Sequence, residues 1–187
     1  MKANIIAIAN YKGGVGKTSS AGCIGAALAL AGKRVLLIDL DAQQNLTFMM
    51  SGQEDPDVSV YDALVKDVPL PIVPVRENLD LVPASLELAR AEIDLATKLA
   101  REAILRTLLE EHVSRYDYIN IDCPPSLGIV TTNALVAADE LYIPLTAEAL
   151  PLKGLRMLDD VVNEIKRRVN PRLQLGGVFS LASTIDA

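Results

Sequence analysis

The stretch Lys12-Gly13-Gly14-Val15-Gly16-Lys17-Thr18 sets glycines beside two lysines and a hydroxyl, and Ser19 continues it. That mixture suits the grip of a phosphate chain. Glycines let the backbone curl so that its N–H groups close on an anion. Lys17 is placed to reach the β and γ phosphates of a nucleotide, and the Thr18 hydroxyl to complete a Mg2+ shell otherwise filled by water. The strict pattern GxxxxGK[ST] asks for glycine where Tyr11 stands, so the remaining amides must supply the cradle. Three carboxylates complete the set. Asp39 and Asp41 follow the aliphatic run Val35-Leu36-Leu37-Ile38, and Asp122 follows Tyr118-Ile119-Asn120-Ile121. A carboxylate at the end of a buried strand is costly unless it meets a cation or hydrogen-bond donors, and Mg2+ on phosphates meets that need. Asp41 also has the place of a helix N-cap or turn carboxylate, because spacing alone leaves its orientation open.

These residues need elements that deliver them to one edge. Short β-branched runs alternate with longer stretches of helical period, the pattern of parallel strands joined by helical crossovers. Strands are expected over residues 4–9, 34–40, 79–82, 116–121, 140–145 and 174–181. Helices are expected over 17–31 (closed by Gly32), 60–66, 86–113 (broken once), 126–137 and 152–169. The class is therefore α/β: a doubly wound, mostly parallel sheet with flanking helices. Such a sheet binds ligands at the carboxyl ends of its strands, where the glycine-rich turn, Asp39, Asp122 and Thr146 fall.

Length and composition bound the rest. The chain has 187 residues, and at about 150 residues per domain one domain over 1–187 is favoured. Half the residues are hydrophobic and 22% are charged, which excludes disorder as the main state. The formal charge of -6 gives no general attraction to nucleic acid or anionic membrane, so any DNA contact must be local. The apolar run 21–31 is about half the ~20 residues that span a bilayer and reads as a buried helix. The opening apolar run, 5–9, is too short for a signal core, so no signal sequence is expected there. Cys23 and Cys123 lack CxxC spacing, which fits a reducing cytoplasm; Cys23 reads as a small core residue. His112 is given no role.

The segment from Lys12 to Thr18 resembles the deviant Walker A motif of the ParA/MinD group of P-loop ATPases, with Lys12 in the place of their signature lysine. Asp39-Leu-Asp41-Ala-Gln43-Gln44-Asn45-Leu46-Thr47 is similar to the group's DxDPQxNxT segment, with Ala42 where proline is usual. Asp122-Cys-Pro-Pro-Ser126-Leu-Gly128 is similar to its D(T/C)PPSLG segment. The resemblance implies a P-loop NTPase fold, ATP and Mg2+ as ligands, and nucleotide binding by Lys12, Gly13, Gly14, Val15, Gly16, Lys17, Thr18 and Ser19. It implies a metal held with Thr18, Asp39 and Asp122, and catalysis by Lys12, Lys17 and Asp41. Lys12 would reach across an ATP-sandwich dimer to the partner's nucleotide, Asp122 would hold a metal-bound water, and Asp41 would orient the attacking water. Pro124 and Pro125 would stiffen a loop that registers the γ phosphate.

Leu79-Asp-Leu-Val-Pro83-Ala-Ser85 and Leu88-Ala-Arg-Ala-Glu-Ile93 resemble the ParA-type partition ATPases within that group. This implies an ATP-dependent homodimer that binds DNA nonspecifically and segregates plasmid or chromosomal DNA with a ParB-type partner, in the cytoplasm and on the nucleoid. The sequence stops where that family continues with further elements, so the chain is expected to lack the usual C-terminal portion. Lys166, Arg167, Arg168 and Arg172 form the best basic cluster. The alternatives are a MinD-like membrane-cycling ATPase, which needs a terminal amphipathic helix that 180–187 is too short to form, and a nucleotide-binding regulatory domain without turnover. No membrane contact is expected.

Overall fold

A computed structural model describes residues 2–53, 56–146 and 152–180. Strands whose every position is aliphatic have no polar face and must be covered on both sides, and the chain folds accordingly. In order it forms β1 (Asn4–Ile8), α1 (Lys17–Leu30), β2 (Val35–Asp39), α2 (Asn45–Ser51), α3 (Val60–Lys66), β3 (Val73–Arg76) and β4 (Leu79–Val82). A 3-10 helix (Leu86–Arg90) leads into α4 (Ala91–Asp94), α5 (Ile104–Leu109), β5 (Tyr118–Asp122), α6 (Ile129–Ala137), β6 (Glu140–Leu145), α7 (Leu152–Arg168) and β7 (Gln174–Ser180).

The strands make one sheet in the order β3-β4-β2-β5-β1-β6-β7. Every pairing is parallel except β3 with β4. Alternate residues face opposite sides: Val35 and Leu37 belong to the core cluster with Leu46 and α1, while Leu36 and Ile38 belong to the larger cluster to which α3 to α7 contribute. Each of these four β2 side chains is wholly buried, worth about 1.5–3 kcal/mol apiece, so β2 anchors both helical layers. The register sets Asp39 opposite Asp122 and Ile8 opposite Asp122. The carboxyl ends of β1, β2 and β5 are thus level with one another.

The expected class and nearly all the strands are present. Four expectations change. β3 arises around Pro74, which an edge strand tolerates because its missing N–H takes nothing from the ladder. α2 forms where the sequence reads as polar loop. Residues 86–113 are not one broken helix but a 3-10 turn, two short helices and turns; Ala100 takes φ 49 between them. α1 is buried along one face only, with Leu30 83% exposed and Cys23 on the surface rather than in the core. The expected last strand position, Leu181, and the segment 180–187 beyond Ser180 lie outside the described residues. Among the described residues no helix is long and apolar enough to cross a membrane.

Candidate functional site

The loop between β1 and α1 makes its turns where glycine permits them, with Gly14 at φ 71 and Gly16 at φ 83. Tyr11, where the strict pattern wants glycine, has no positive φ; its ring lies toward Gly154 of α7 rather than in the cleft. Asn10 braces the loop: its Nδ2 donates to Pro144 O at 2.7 Å and its Oδ1 accepts from Lys12 N at 3.0 Å. A methyl group placed on Gly13 or Gly14 would meet nothing within 4 Å, so the loop faces open space.

That space is a cleft of about 530 Å³ lined by Gly13, Gly14, Gly16, Lys17, Thr18, Ser19, Asp41, Gln43, Asn45, Met49 and Pro125. It is roomy enough for a small ligand. Lys17 is buried and its Nζ donates to Lys12 O at 3.2 Å across the loop. Desolvation lowers the Lys17 pKa, opposed by the charges of Asp122 and Asp41.

The two strand-end carboxylates have different surroundings. Asp39 accepts hydrogen bonds from Asp41 N at 3.0 Å and from Thr47 N and Oγ1, both at 2.8 Å. Burial still lifts its carboxyl to about 6, because desolvation outweighs those three donors. Asp122 is wholly buried and neither oxygen accepts a hydrogen bond of ordinary geometry. The nearby Thr18 hydroxyl and Lys17 favour its charged form, but burial together with Asp39 and Asp41 pushes it up to about 7. Asp122 is thus a buried carboxylate behind the cleft lining, with the Thr18 hydroxyl and Lys17 beside it, and a cation there would offset its charge. Among the described residues no three His, Cys, Asp or Glu side chains converge. The donor set therefore fits Mg2+, which completes its shell with water and phosphate oxygens rather than a protein cage.

Most expected site residues meet here: Gly13, Gly14, Gly16, Lys17, Thr18, Ser19 and Asp41 line the cleft, with Asp122 behind them. Asp39 stands alongside but spends its oxygens on protein donors. Asp41 also makes the turn that its spacing left open, its Oδ1 accepting Gln43 N at 3.0 Å. Val15 is buried under the loop and Lys12 is exposed outside the lining. Gln43, Asn45 and Met49, given no role from the sequence, also line the cleft, as does Pro125 of the loop expected to register the γ phosphate. Gln43 and Asn45 lie within the polar run after Asp41, which was the available signal. The Cys123 thiol is wholly buried and burial pushes its pKa up.

Relatives share both motifs and fold. The family described as an AAA domain matches residues 3–175. Over 98% of its length the chain is 47% identical to the sporulation initiation inhibitor protein Soj of Bacillus subtilis, spanning 73% of that protein. It is 41% identical over 93% of its length to the chromosome partitioning protein ParA of Caulobacter vibrioides, spanning 67% of it. The chain belongs to the ParA/Soj family of ATPases. The crystal structure of cobyrinic acid a,c-diamide synthase from Mycobacterium smegmatis superposes with a TM-score of 0.89 at 40% identity, covering 95% of this chain and 74% of that one. Against a Mycobacterium tuberculosis relative the chain spans only 57% of the longer protein, so ParA/Soj relatives carry additional sequence to varying extents.

Proposed function

We propose that the cleft binds Mg–ATP and that the chain hydrolyses it as an ATP-sandwich dimer in DNA partition. The observation that carries this reading is Asp122, a wholly buried carboxylate whose oxygens accept no hydrogen bond of ordinary geometry, beside Thr18 and Lys17 behind the cleft lining. The amides of Gly13 to Ser19 cradle the phosphates, and the Lys17 ammonium exchanges its contact with Lys12 O for phosphate oxygens. Thr18 and Asp122 would hold the metal, and Asp39 stiffens the site through its three donors. Magnesium, when bound, neutralises charge on the phosphates. Asp41 orients a water for in-line attack on the γ phosphorus as the bond to the β-phosphate oxygen breaks, giving ADP and inorganic phosphate. Lys12, exposed at the loop's outer edge, would reach a second subunit's nucleotide and stabilise charge there.

The solved relatives support the ligand. One holds ADP and magnesium, and a putative plasmid partition protein from Borrelia burgdorferi holds AMPPNP. The relatives named for chromosome partitioning support a role in DNA partition; a ParB-type partner and nonspecific DNA are part of the proposal. In the basic cluster at the end of α7, Arg167 and Arg168 share the single carboxylate of Glu164, so the cluster with Lys166 and Arg172 keeps most of its positive charge for DNA.

Light scattering with Mg–ADP, Mg–ATP and a slowly hydrolysed analogue, with and without duplex DNA, tests the reading. A dimer is expected with triphosphate only, and DNA binding by that dimer. Lys17→Ala is expected to lose nucleotide binding, and Asp41→Ala to bind nucleotide but turn over at least about a hundredfold more slowly, in line with loss of a water-positioning group. Unchanged turnover in both variants refutes the assignment.

A further inference from the structure

The helix that follows Asp122 is capped from outside its own segment. α6 starts at Ile129, and the N–H of Ile129 donates to Glu92 Oε1 of α4 at 2.7 Å. A carboxylate at that end is favoured by the helix dipole as well as by the hydrogen bond. Gly128 makes room for it: a Cβ at 128 would lie 1.7 Å from Glu92 Oε1 and 2.7 Å from its Cδ. The backbone there, at φ -84 and ψ -164, is open to alanine, so the glycine serves Glu92 and not a turn.

A second clip repeats the link one turn on. Asn133 Oδ1 accepts Leu105 N at 3.0 Å and its Nδ2 donates to Arg101 O at 2.7 Å. Thr131 Oγ1 donates to Ser126 O at 2.6 Å, tying the loop before α6 to the helix itself. Residues 124–128 are therefore held at one end by Asp122 in the sheet and at the other by a helix start that Glu92 fixes. Pro125 of this loop lines the phosphate cleft.

We propose that Glu92 is a positioning residue for the loop 124–128: by capping α6 from α4 it sets where that backbone stands against the terminal phosphate. It touches neither nucleotide nor metal. The proposal rests on the reading of the cleft as an ATP site, and through it the segment 91–105 is mechanically joined to the phosphate end of the cleft.

The test compares the whole chain with Glu92→Ala, Glu92→Gln, Gly128→Ala and the double variant Glu92→Ala/Gly128→Ala. Affinities for Mg–ADP and a slowly hydrolysed Mg–ATP analogue, turnover, and amide exchange of peptides covering 123–132 are measured. Glu92→Ala is expected to lose turnover and preference for the triphosphate by about tenfold, the factor that losing a helix cap carries. Its ADP affinity should stay within about twofold of the parent, since residues 13–19 grip the diphosphate, and exchange at Ile129 should rise. Gly128→Ala should do the same by displacing the carboxylate. Glu92→Gln keeps an accepting oxygen and should stay within about threefold of the parent. The double variant should be no worse than Glu92→Ala, because the added methyl then meets no carboxylate.

Parent-like turnover, triphosphate preference and exchange in Glu92→Ala overturn the proposal. So does an equal loss of ADP and triphosphate affinity, which marks a general structural role, and so does an additive double variant. A parent chain that binds neither nucleotide overturns the ATP reading instead, and the proposal with it.

Discussion

Replacing Asp122 by asparagine should make the nucleotide-free chain more stable at neutral pH while removing magnesium-dependent nucleotide binding. The carboxyl is lifted from 3.8 to about 7, first by burial, so the folded chain holds that proton more tightly than the unfolded chain does. Stability from this group is then complete below about 3.8 and is lost as pH climbs through 7. At about 1.36 kcal/mol for each pH unit, the charged form costs the fold about 4 kcal/mol by pH 8. Coupling to Asp39 and local relaxation reduce this, and about 2–3 kcal/mol is expected between pH 4.5 and 8. Asparagine has nearly the same shape and no charge. Its own burial cost is the same at both pH values, so the pH dependence of the difference isolates the carboxylate. Urea unfolding in EDTA at pH 4.5 and pH 8 supplies the measurement. Asp122→Asn should gain about 1–2 M in midpoint over the parent at pH 8 relative to pH 4.5, at a slope of about 1–3 kcal/mol per molar. A difference between the two chains that is the same at both pH values refutes the claim that Asp122 is a buried, unpaired charge. Asp122→Asn that binds Mg–ATP as tightly as the parent refutes its place at the metal.

Two further substitutions probe the supports of the site. Thr47 Oγ1 donates to Asp39 and accepts Ala84 N at 2.9 Å, so Thr47→Val strands a buried N–H and takes a donor from a carboxylate. A loss of about 2–4 kcal/mol is expected. It should be larger at pH 8 than at pH 4.5, because Asp39 needs that donor only when charged, and urea unfolding at the two pH values checks both size and sign. Gly25→Ala would set a Cβ 2.5 Å from Leu37 Cδ2, and Leu37 is wholly buried. Overpacking of about 1–3 kcal/mol outweighs the ~1 kcal/mol gained in helix propensity, so a net loss of about 1 kcal/mol in urea unfolding is expected.

The phosphate loop and the strand-end carboxylates were legible because their signals are local. Glycines that must turn, a lysine and a hydroxyl at fixed spacing, and aspartates closing aliphatic runs each announce themselves within a few residues. Aliphatic content likewise marked the central strands, since β1, β2 and β5 are covered on both faces. Residues 86–113 misled for the opposite reason. Leu88, Ala91, Leu95, Leu105 and Leu109 are all buried, which mimics one helical stripe, yet several short pieces present them. The exposure of Cys23 was hidden because α1 is apolar on its outer face too. Asp41 shows the limit at the site, since its turn with Gln43 and its place on the cleft are both compatible with one sequence position. The contact of Glu92 with Gly128 joins segments that nothing local connects.

The sheet order has a consequence for synthesis. β1 is the first strand made, yet both its neighbours, β5 and β6, come after residue 117. A chain emerging from the ribosome therefore carries the glycine loop on a strand with no partner while everything up to β4 is translated. At about 5–20 residues per second, that interval lasts several seconds. β5 then enters between β1 and β2 and brings Asp122 with it, so the sheet's centre and the buried strand-end carboxylate arrive in one late step. A nascent chain halted before that step would hold the phosphate loop without the fold that gives it a purpose, and would present apolar strand faces and edges to chaperones.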